Sequence, residues 1–263
     1  MSRTLVAAAE NIDVWLAFYD EIDDQQLLAK YRELLIEEER GQEVRFYFAD
    51  DRRRYLVTRA LVRTVLSRYL ALAPADWRFS ANAYGRPMIG NIAFRNCGLS
   101  FNISHARGLI ALAVTKHREI GVDVENVCVR QVSLDIADRF FAAAEVAELA
   151  SVQLERQQDR FFEYWTFKES YIKARGMGLS IPLEQFSFHY PHERAVSITI
   201  QPELGDDASR WRFWQFRPTA EHLLALCAEQ RGPDAPSVTI RKVIPLISDA
   251  QLRLPLLKAS VHL

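Results

Sequence analysis

Apolar residues recur at steps of three and four in four segments of the chain, and this spacing predicts amphipathic helices. In the first segment Leu27, Leu28, Tyr31, Leu34 and Leu35 form the apolar stripe, and the opposite face is acidic. The four predicted helices span residues 23–43, 50–70, 134–149 and 157–175. A glycine follows the last of them and favours the left-handed conformation that ends many helices.

Other segments have the period of two that is typical of half-buried strands. Leu99, Phe101 and Ile103 alternate with polar residues, whereas the run 109–114 is apolar throughout and indicates a fully buried strand. The turn at residues 104–108 is expected to join these two strands as a pair. Further strands are predicted at residues 120–125, 186–190, 195–200, 211–217 and 223–228.

One apolar pattern occurs twice. Residues 109–113 and residues 223–227 have closely similar sequences, and each follows a long helix and further strands. Any two buried strands share such a pattern, so coincidence and internal repetition both remain open. A genuine repeat would divide the chain into two similar halves that meet near residue 119.

The composition is that of an ordinary globular protein. Of its 263 residues 49% are hydrophobic, and 33 basic against 34 acidic residues give a formal charge of −1. This balance argues against binding of nucleic acid through overall positive charge, although a local basic patch is compatible with it. Cys97, Cys128 and Cys227 lack the spacing of a zinc site or a disulfide framework, which suits a reducing compartment.

The apolar runs are short. Residues 5–9 fall below the roughly 7 to 15 residues of a secretory apolar region. Residues 109–114 fall far below the roughly 20 residues that span a bilayer. We therefore expect a cytoplasmic protein with no membrane partner.

Two carboxylates share one face of the strand predicted at residues 120–125. Asp123 and Glu125 alternate with apolar residues, so their side chains project from the same side, with alpha carbons about 6.5 to 7 Å apart. The solvated face of an antiparallel sheet would explain this arrangement without any function. A hard cation held between the two carboxylates would explain it as well.

A third carboxylate lies in the last predicted helix. Glu169 falls in the apolar stripe that Trp165 and Ile172 define, where a charge is costly unless it is paired or coordinated. Lys173, one turn later, could be its partner in an exposed ion pair that needs no function. Alternatively Glu169 completes an all-oxygen set with the two strand carboxylates, which suits magnesium and substrate phosphates.

Groups that suit phosphate occur earlier in the chain. Arg52-Arg53-Arg54 open the second predicted helix, and Ser104-His105 directly follow a strand. Arginines on a solvated helix and a histidine in a turn are also common without a ligand. A hydrolase with a serine nucleophile is disfavoured because the chain has no Gly-x-Ser-x-Gly motif.

Four blocks together resemble one known family. Gly121-Val122-Asp123-Val124-Glu125 and Trp165-Thr166-Phe167-Lys168-Glu169-Ser170-Tyr171-Ile172-Lys173 resemble the two signature blocks of the Sfp-type 4′-phosphopantetheinyl transferases. Phe101-Asn102-Ile103-Ser104-His105 and Tyr84-Gly85-Arg86-Pro87 are similar to two further blocks, in the same order. The resemblance spans roughly residues 52 to 188.

The resemblance implies an enzyme that moves the 4′-phosphopantetheine arm of coenzyme A to a serine of an apo acyl or peptidyl carrier protein. The reaction would release adenosine 3′,5′-bisphosphate and would require Mg²⁺, which Mn²⁺ could replace. The carriers would belong to fatty acid, polyketide or nonribosomal peptide synthesis. The implied fold is α+β, a monomer of two similar halves with the active site in the cleft between them.

The same resemblance implies different roles for the two halves. The half 1–118 would provide the coenzyme A phosphate and adenine contacts. The half 119–263 would provide the metal site and the catalytic helix.

The resemblance also implies roles for residues around the reacting group. Asp123, Glu125 and Glu169 would hold the metal, with Asp123 and Glu169 also catalytic. Glu169 is the candidate base that accepts the proton of the carrier serine. Lys173 would face the coenzyme diphosphate and stabilise charge on the leaving phosphate.

Coenzyme contacts are implied for the other blocks. Ser104 and His105 would contact the phosphates of coenzyme A, and Arg54 would reach the 3′-phosphate. Tyr84 and Arg86 would lie beside the adenine. The chain departs from the family in two places, with Arg86 where lysine is common and an acidic segment at residues 37–40 where lysines are expected.

Two other kinds of protein remain as alternatives. A non-catalytic module that binds carrier proteins or nucleotides would keep the fold without turnover. A metal-dependent nuclease is disfavoured because no extended basic stripe follows a nucleic-acid backbone. For a carrier protein, residues 130–141 with Arg139, Phe140 and Phe141 are a candidate docking edge.

Overall fold

The computed structural model of the chain describes residues 11–129 and 134–260, except for the side chains of Leu134 and Leu179. Its helices are α1 (Gln25–Glu33), α2 (Glu37–Glu43), α3 (Ala49–Leu66), α4 (Leu134–Phe140), α5 (Ala143–Ser151) and α6 (Leu154–Arg175). Its strands are β1 (Asn11–Ala17), β2 (Phe79–Ala81), β3 (Pro87–Ile89), β4 (Leu99–Ala106), β5 (Leu109–Lys116), β6 (Ile120–Asn126), β7 (Phe186–His189), β8 (Ala195–Ile200), β9 (Trp211–Thr219), β10 (His222–Glu229), β11 (Ser237–Ile244), β12 (Ser248–Leu252) and β13 (Leu256–Ser260).

Each predicted helix is present, but two of them are divided. The segment 23–43 contains α1 and α2, and the segment 134–149 contains α4 and the start of α5. In both α2 and α5 the third residue is a glutamate that accepts the N–H of the residue preceding the helix: Glu39 accepts from Ile36, and Glu145 accepts from Ala142. These contacts fix a new helix start and end the continuity that apolar spacing alone predicted.

Helices and strands form an α+β fold, as predicted. One sheet has five strands in the order β12-β11-β1-β5-β4, and the other has six in the order β6-β10-β9-β13-β8-β7. Helices α1 and α3 pack against the first sheet, and α6 packs against the second. None of the described helices combines the length and apolar character that crossing a bilayer requires.

The repeated apolar pattern has a physical cause in the core. In β5 one set of side chains packs toward α3 while the alternate set joins a core shared by the two sheets. In β10 one set packs toward α6 and the alternate set joins the same shared core. Both strands are therefore buried on two faces, which explains why neither shows a polar alternation.

The predicted boundary at residue 118 lies between β5 and β6. Residues 237–252 nevertheless return to the first sheet, where β11 pairs in parallel with β1. The assignment of separate roles to the two halves stays a prediction.

The edges of the two sheets meet at β4 and β6. The Val122 N–H donates to Asn102 Oδ1 at 2.9 Å, and the Val124 N–H donates to Ser104 Oγ at 3.4 Å. Side chains of β4 thus occupy the places that backbone carbonyls would take in a continuous sheet. We refer to this junction of β4 and β6 as the seam.

Candidate active site

The acidic face of β6 is turned toward α6. The valines of β6 are buried in the shared core, and the carboxylates between them contact α6 residues. A Cβ at Gly121 would lie 2.0 Å from the Ser170 carbonyl oxygen and 2.4 Å from the Ala174 nitrogen. The absence of a side chain there allows β6 and α6 to approach closely.

Asp123, Lys173 and Ser104 form a compact polar cluster at the seam. The Lys173 Nζ donates to Asp123 Oδ1 at 2.6 Å and to Ser104 Oγ at 2.9 Å. Ser104 Oγ also donates to Asp123 Oδ1 at 3.0 Å. Asp123 is 3% exposed, and its Oδ2 atom is buried without a hydrogen-bond partner.

Glu169 is electrostatically coupled to this cluster. Burial and then the charge of Asp123 raise the pKa of Glu169, while Lys173 acts in the opposite direction. A second carboxylate close to Asp123 is disfavoured in its ionised form unless a cation lies between them. The structure therefore places Glu169 close enough to Asp123 and Lys173 for their charges to act on it.

Glu125 lies beside the indole of Trp165, whose Nε1 donates to Glu125 Oε1 at 3.1 Å. Among residues 11–129 and 134–260, no group of three or more His, Cys, Asp or Glu side chains is arranged to hold a metal ion. The donor chemistry still fits a hard cation, because Asp123 Oδ2 lacks a donor and the pKa of nearby Glu169 is raised. The three-carboxylate metal site stays a prediction.

His105 and Arg54 approach the seam from the first sheet and from α3. The His105 side chain is exposed to solvent, and partial desolvation by its neighbours and then the charges of Arg54 and Lys173 lower its pKa, while Asp123 opposes this shift. The histidine is consequently neutral at physiological pH, with one ring nitrogen available as a donor. The Arg54 guanidinium makes an ion pair with Asp51 at 2.8 Å, one turn earlier in α3.

The turn at residues 82–86 joins β2 to β3. Gly85 has a φ of +86°, and Asn82 Oδ1 accepts the N–H groups of Tyr84 and Arg86, each at 2.9 Å. The Tyr84 side chain is exposed. Arg86 contacts Glu119 and two backbone carbonyls of the second half, which the sequence did not indicate.

The acidic segment 37–40 has a structural cause. Glu39 is 7% exposed and binds the fully buried Arg63 at 2.6 Å. It also accepts the Ile36 N–H at the start of α2. One glutamate of the segment is therefore required by the fold, whatever the segment contributes to the coenzyme.

Three contributors to the site were not singled out from the sequence. Asn102 connects β4 to β6, Gly121 permits the approach of α6, and Arg86 contacts the end of that helix. A glycine inside a strand pattern often marks close backbone approach, so Gly121 did carry a signal. Contacts with backbone carbonyls of distant residues leave no periodic pattern in the sequence. The role of Arg86 therefore had no sequence signal.

Comparisons with known proteins identify the family of the chain. Two family profiles match the chain, "4′-phosphopantetheinyl transferase superfamily" at residues 119–227 and "4′-phosphopantetheinyl transferase, N-terminal" at residues 23–117. The chain is 35% identical over 207 residues to the 4′-phosphopantetheinyl transferase Sfp of Bacillus subtilis, covering 79% of this chain and 87% of that protein. It is 34% identical over 176 residues to the 4′-phosphopantetheinyl transferase HetI of a Nostoc species, covering 67% and 73% respectively.

A solved holo-[acyl-carrier-protein] synthase of Thermotoga maritima matches 43% of this chain and 64% of its own, with 17% identity and a TM-score of 0.36. That likeness is too low to bear on the fold. The sequence relatives define the chain as a transferase enzyme. It belongs to the 4′-phosphopantetheinyl transferase superfamily, which confirms the family indicated by the four motif blocks.

Proposed function

We propose that the chain transfers the 4′-phosphopantetheine arm of coenzyme A to a serine of an apo acyl or peptidyl carrier protein, with release of adenosine 3′,5′-bisphosphate. The cluster of Asp123, Lys173 and Ser104 beside Glu169 is the observation that carries the proposal. It combines a cation, a hydroxyl and two carboxylates, which suits attack of a hydroxyl on a diphosphate.

Asp123, Glu125 and Glu169 would hold Mg²⁺, or Mn²⁺ in its place, as the family membership suggests. When bound, the ion supplies positive charge that neutralises diphosphate oxygens. The orphaned Asp123 Oδ2 supports this assignment, because a buried carboxylate oxygen without a donor is costly.

Glu169 acts as the base in this proposal. Its carboxylate, which lies within reach of the charges of Asp123 and Lys173, can accept the proton of an attacking hydroxyl. It takes the proton of the carrier serine while the serine oxygen forms a bond to the phosphorus that carries the pantetheine. The bond from that phosphorus to the oxygen of adenosine 3′,5′-bisphosphate breaks, and Lys173 stabilises the charge on this leaving group.

Ser104, His105, Arg54 and Tyr84 form the proposed coenzyme contacts. The Ser104 hydroxyl and the neutral His105 can donate hydrogen bonds to phosphate, and the Arg54 guanidinium contributes charge. The proximity of Arg54 to His105 supports a shared phosphate position, because the charge of Arg54 acts on the His105 ring. Tyr84 offers an exposed ring for the adenine.

The carrier protein is proposed to dock beside α4, with the enzyme acting as a monomer. Arg139 is exposed, and Phe140 is 41% exposed in edge contact with Trp165 at 6.2 Å. Phe141 is only 4% exposed and stacks on Phe161, so it belongs to the core and not to the docking edge. Residues 130–133 of the predicted edge lie outside the described residues.

Incubation with an apo carrier protein, coenzyme A and Mg²⁺ tests the proposed function. We expect mass spectrometry of the carrier to show the added phosphopantetheine, and the released adenosine 3′,5′-bisphosphate to appear in equal amount. Binding of coenzyme A without any adduct across acyl and peptidyl carriers would favour the non-catalytic module instead.

Replacing Arg54 by alanine is expected to weaken coenzyme A binding by about tenfold, because a charge-assisted contact with the 3′-phosphate is lost. Binding of dephospho-coenzyme A, which lacks that phosphate, should change little. Calorimetric titration of both ligands measures the difference. Arg52→Ala is the matched control, since Arg52 is exposed on the same helix turn and donates to the Phe46 carbonyl. Equal losses for the two ligands would contradict the assignment of Arg54.

A further inference from the structure

The turn between β2 and β3 is docked on the C-terminal end of the helix that carries Glu169 and Lys173. The Asn82 Nδ2 donates to the Gly176 carbonyl oxygen at 2.7 Å. The Asn82 Oδ1 meanwhile accepts two N–H groups of its own turn, which fixes the side chain in place. The turn is thus anchored to the helix end by an already oriented amide.

Arg86 adds a second and broader contact. Its Nη1 donates to Glu119 Oε2 at 2.8 Å and to the Ala174 carbonyl oxygen at 3.0 Å. Its Nη2 donates to the Ile120 carbonyl oxygen at 3.2 Å. A single guanidinium therefore joins the turn, the first residue of β6 and the last turn of α6.

These contacts satisfy carbonyls that a helix leaves open at its end. The Gly176 N–H donates to the carbonyl oxygens of Ile172 and Lys173. The carbonyl oxygen of Ala174 accepts a hydrogen bond from Arg86, and that of Gly176 accepts one from Asn82. A cation at this position also complements the negative end of the helix dipole. The helix end is therefore capped from outside the helix, by a turn about ninety residues earlier in sequence.

We infer that Arg86 is a positioning residue, which holds the last turn of α6 against β6 and thereby fixes Lys173 relative to Asp123. Lys173 directly precedes Ala174, and Asp123 follows Ile120 by three residues. The Arg86 contacts and the polar cluster therefore lie on the same short segments of α6 and β6. The effect on turnover rests on the proposed function, whereas the effect on the helix end does not. This role is an alternative to the adenine contact that the resemblance implies for Arg86.

The geometry requires arginine. Two nitrogens of one planar group reach three acceptors, one each on Glu119, β6 and α6, and the side chain is 15% exposed. Lysine has a single nitrogen on a flexible stem and cannot keep this fork. Arg86→Lys therefore retains the charge but loses the simultaneous contacts with β6 and α6.

The test compares Arg86→Lys and Arg86→Met with Glu119→Gln, which removes the ion pair and leaves both carbonyl contacts. Hydrogen exchange at residues 173–176 reports the helix end without any turnover. We expect faster exchange there in both Arg86 variants and little change in Glu119→Gln. With an apo carrier, kcat should fall by about tenfold to a hundredfold, since small displacements of catalytic groups are costly. The KM and Kd for coenzyme A should stay near their wild-type values.

Two results would overturn the inference. Unchanged exchange at residues 173–176 in a folded Arg86→Lys protein would show that the helix end does not depend on Arg86. A large loss of coenzyme A affinity with kcat retained would make Arg86 a coenzyme ligand, consistent with its place in the wall of a cleft of about 620 Å³. If transfer is absent even in the wild type, faster exchange still supports the cap, and only the proposed function fails.

Discussion

Glu169→Gln is expected to lower the rate of phosphopantetheine transfer by about a hundredfold to ten-thousandfold, because a general base is removed. Glutamine keeps the size of the side chain but accepts no proton and binds a divalent cation poorly. Initial rates of holo-carrier formation, measured by mass spectrometry at saturating coenzyme A, give the effect on kcat. Glu155→Gln is the matched control, since Glu155 is exposed in the first turn of the same helix.

The same variant should not destabilise the unliganded protein. Burial and the charge of Asp123 raise the pKa of Glu169, so the folded state binds its proton more tightly than the unfolded chain does. The free energy of unfolding contributed by this group therefore falls as the pH rises from the ordinary glutamate pKa through the raised one. At pH 7, without metal or coenzyme, Glu169→Gln should unfold at the wild-type temperature or above it. This difference should vanish below the ordinary glutamate pKa.

Two results would contradict this interpretation of Glu169. Near wild-type transfer by the glutamine variant would remove the residue from both of its proposed roles. Loss of activity together with a clearly lower unfolding temperature at pH 7 would show that the carboxylate stabilises the fold.

Gly121→Ala is expected to destabilise the protein by about 3 kcal/mol or more, because overpacking that a backbone cannot relieve exceeds the usual cost. The added Cβ would lie 2.0 Å from a backbone oxygen of α6, and a strand and a long helix would have to separate to accommodate it. Urea denaturation measures the change in the free energy of unfolding. In the fraction that remains folded, transfer should be slower still, since α6 carries Glu169 and Lys173.

Gly41→Ala provides the contrast. Nothing lies within 4 Å of a Cβ at Gly41, and the residue is inside α2, where alanine is favoured by about 0.5 to 1 kcal/mol. We therefore expect the two Gly→Ala substitutions to change stability in opposite directions. A Gly121→Ala protein with wild-type stability and transfer would contradict the close packing of β6 on α6.

Local apolar patterns predicted the elements that have one clear apolar face or are apolar throughout. The helix at residues 157–175 and the strand pair 99–114 are present because their patterns match the cores on which they pack. The strands at residues 11–17 and 237–252 were not predicted. Their place in the first sheet depends on a parallel pairing between the two ends of the chain, and such long-range pairing leaves no local signal.

The candidate site likewise has a part that the sequence predicted and a part that it did not. The common face of Asp123 and Glu125 follows from strand alternation. Glu169 and Lys173 share one face of α6 because four residues separate them in a helix. The Asn102 contact at the seam and the Arg86 cap join residues far apart in sequence. Such contacts depend on how the two sheets and α6 pack, so spacing along the chain could not predict them.

Binding of Mn²⁺ in the presence of coenzyme A, followed by electron paramagnetic resonance, tests most directly whether the carboxylates at the seam hold the ion of a diphosphate site. We expect stoichiometric binding by the wild type and by Arg52→Ala. Asp123→Asn and Glu169→Gln should lose it, because each removes a charged oxygen ligand. Unchanged Mn²⁺ binding by these two variants would contradict the central claim, that Asp123 and Glu169 form the metal site of a transferase.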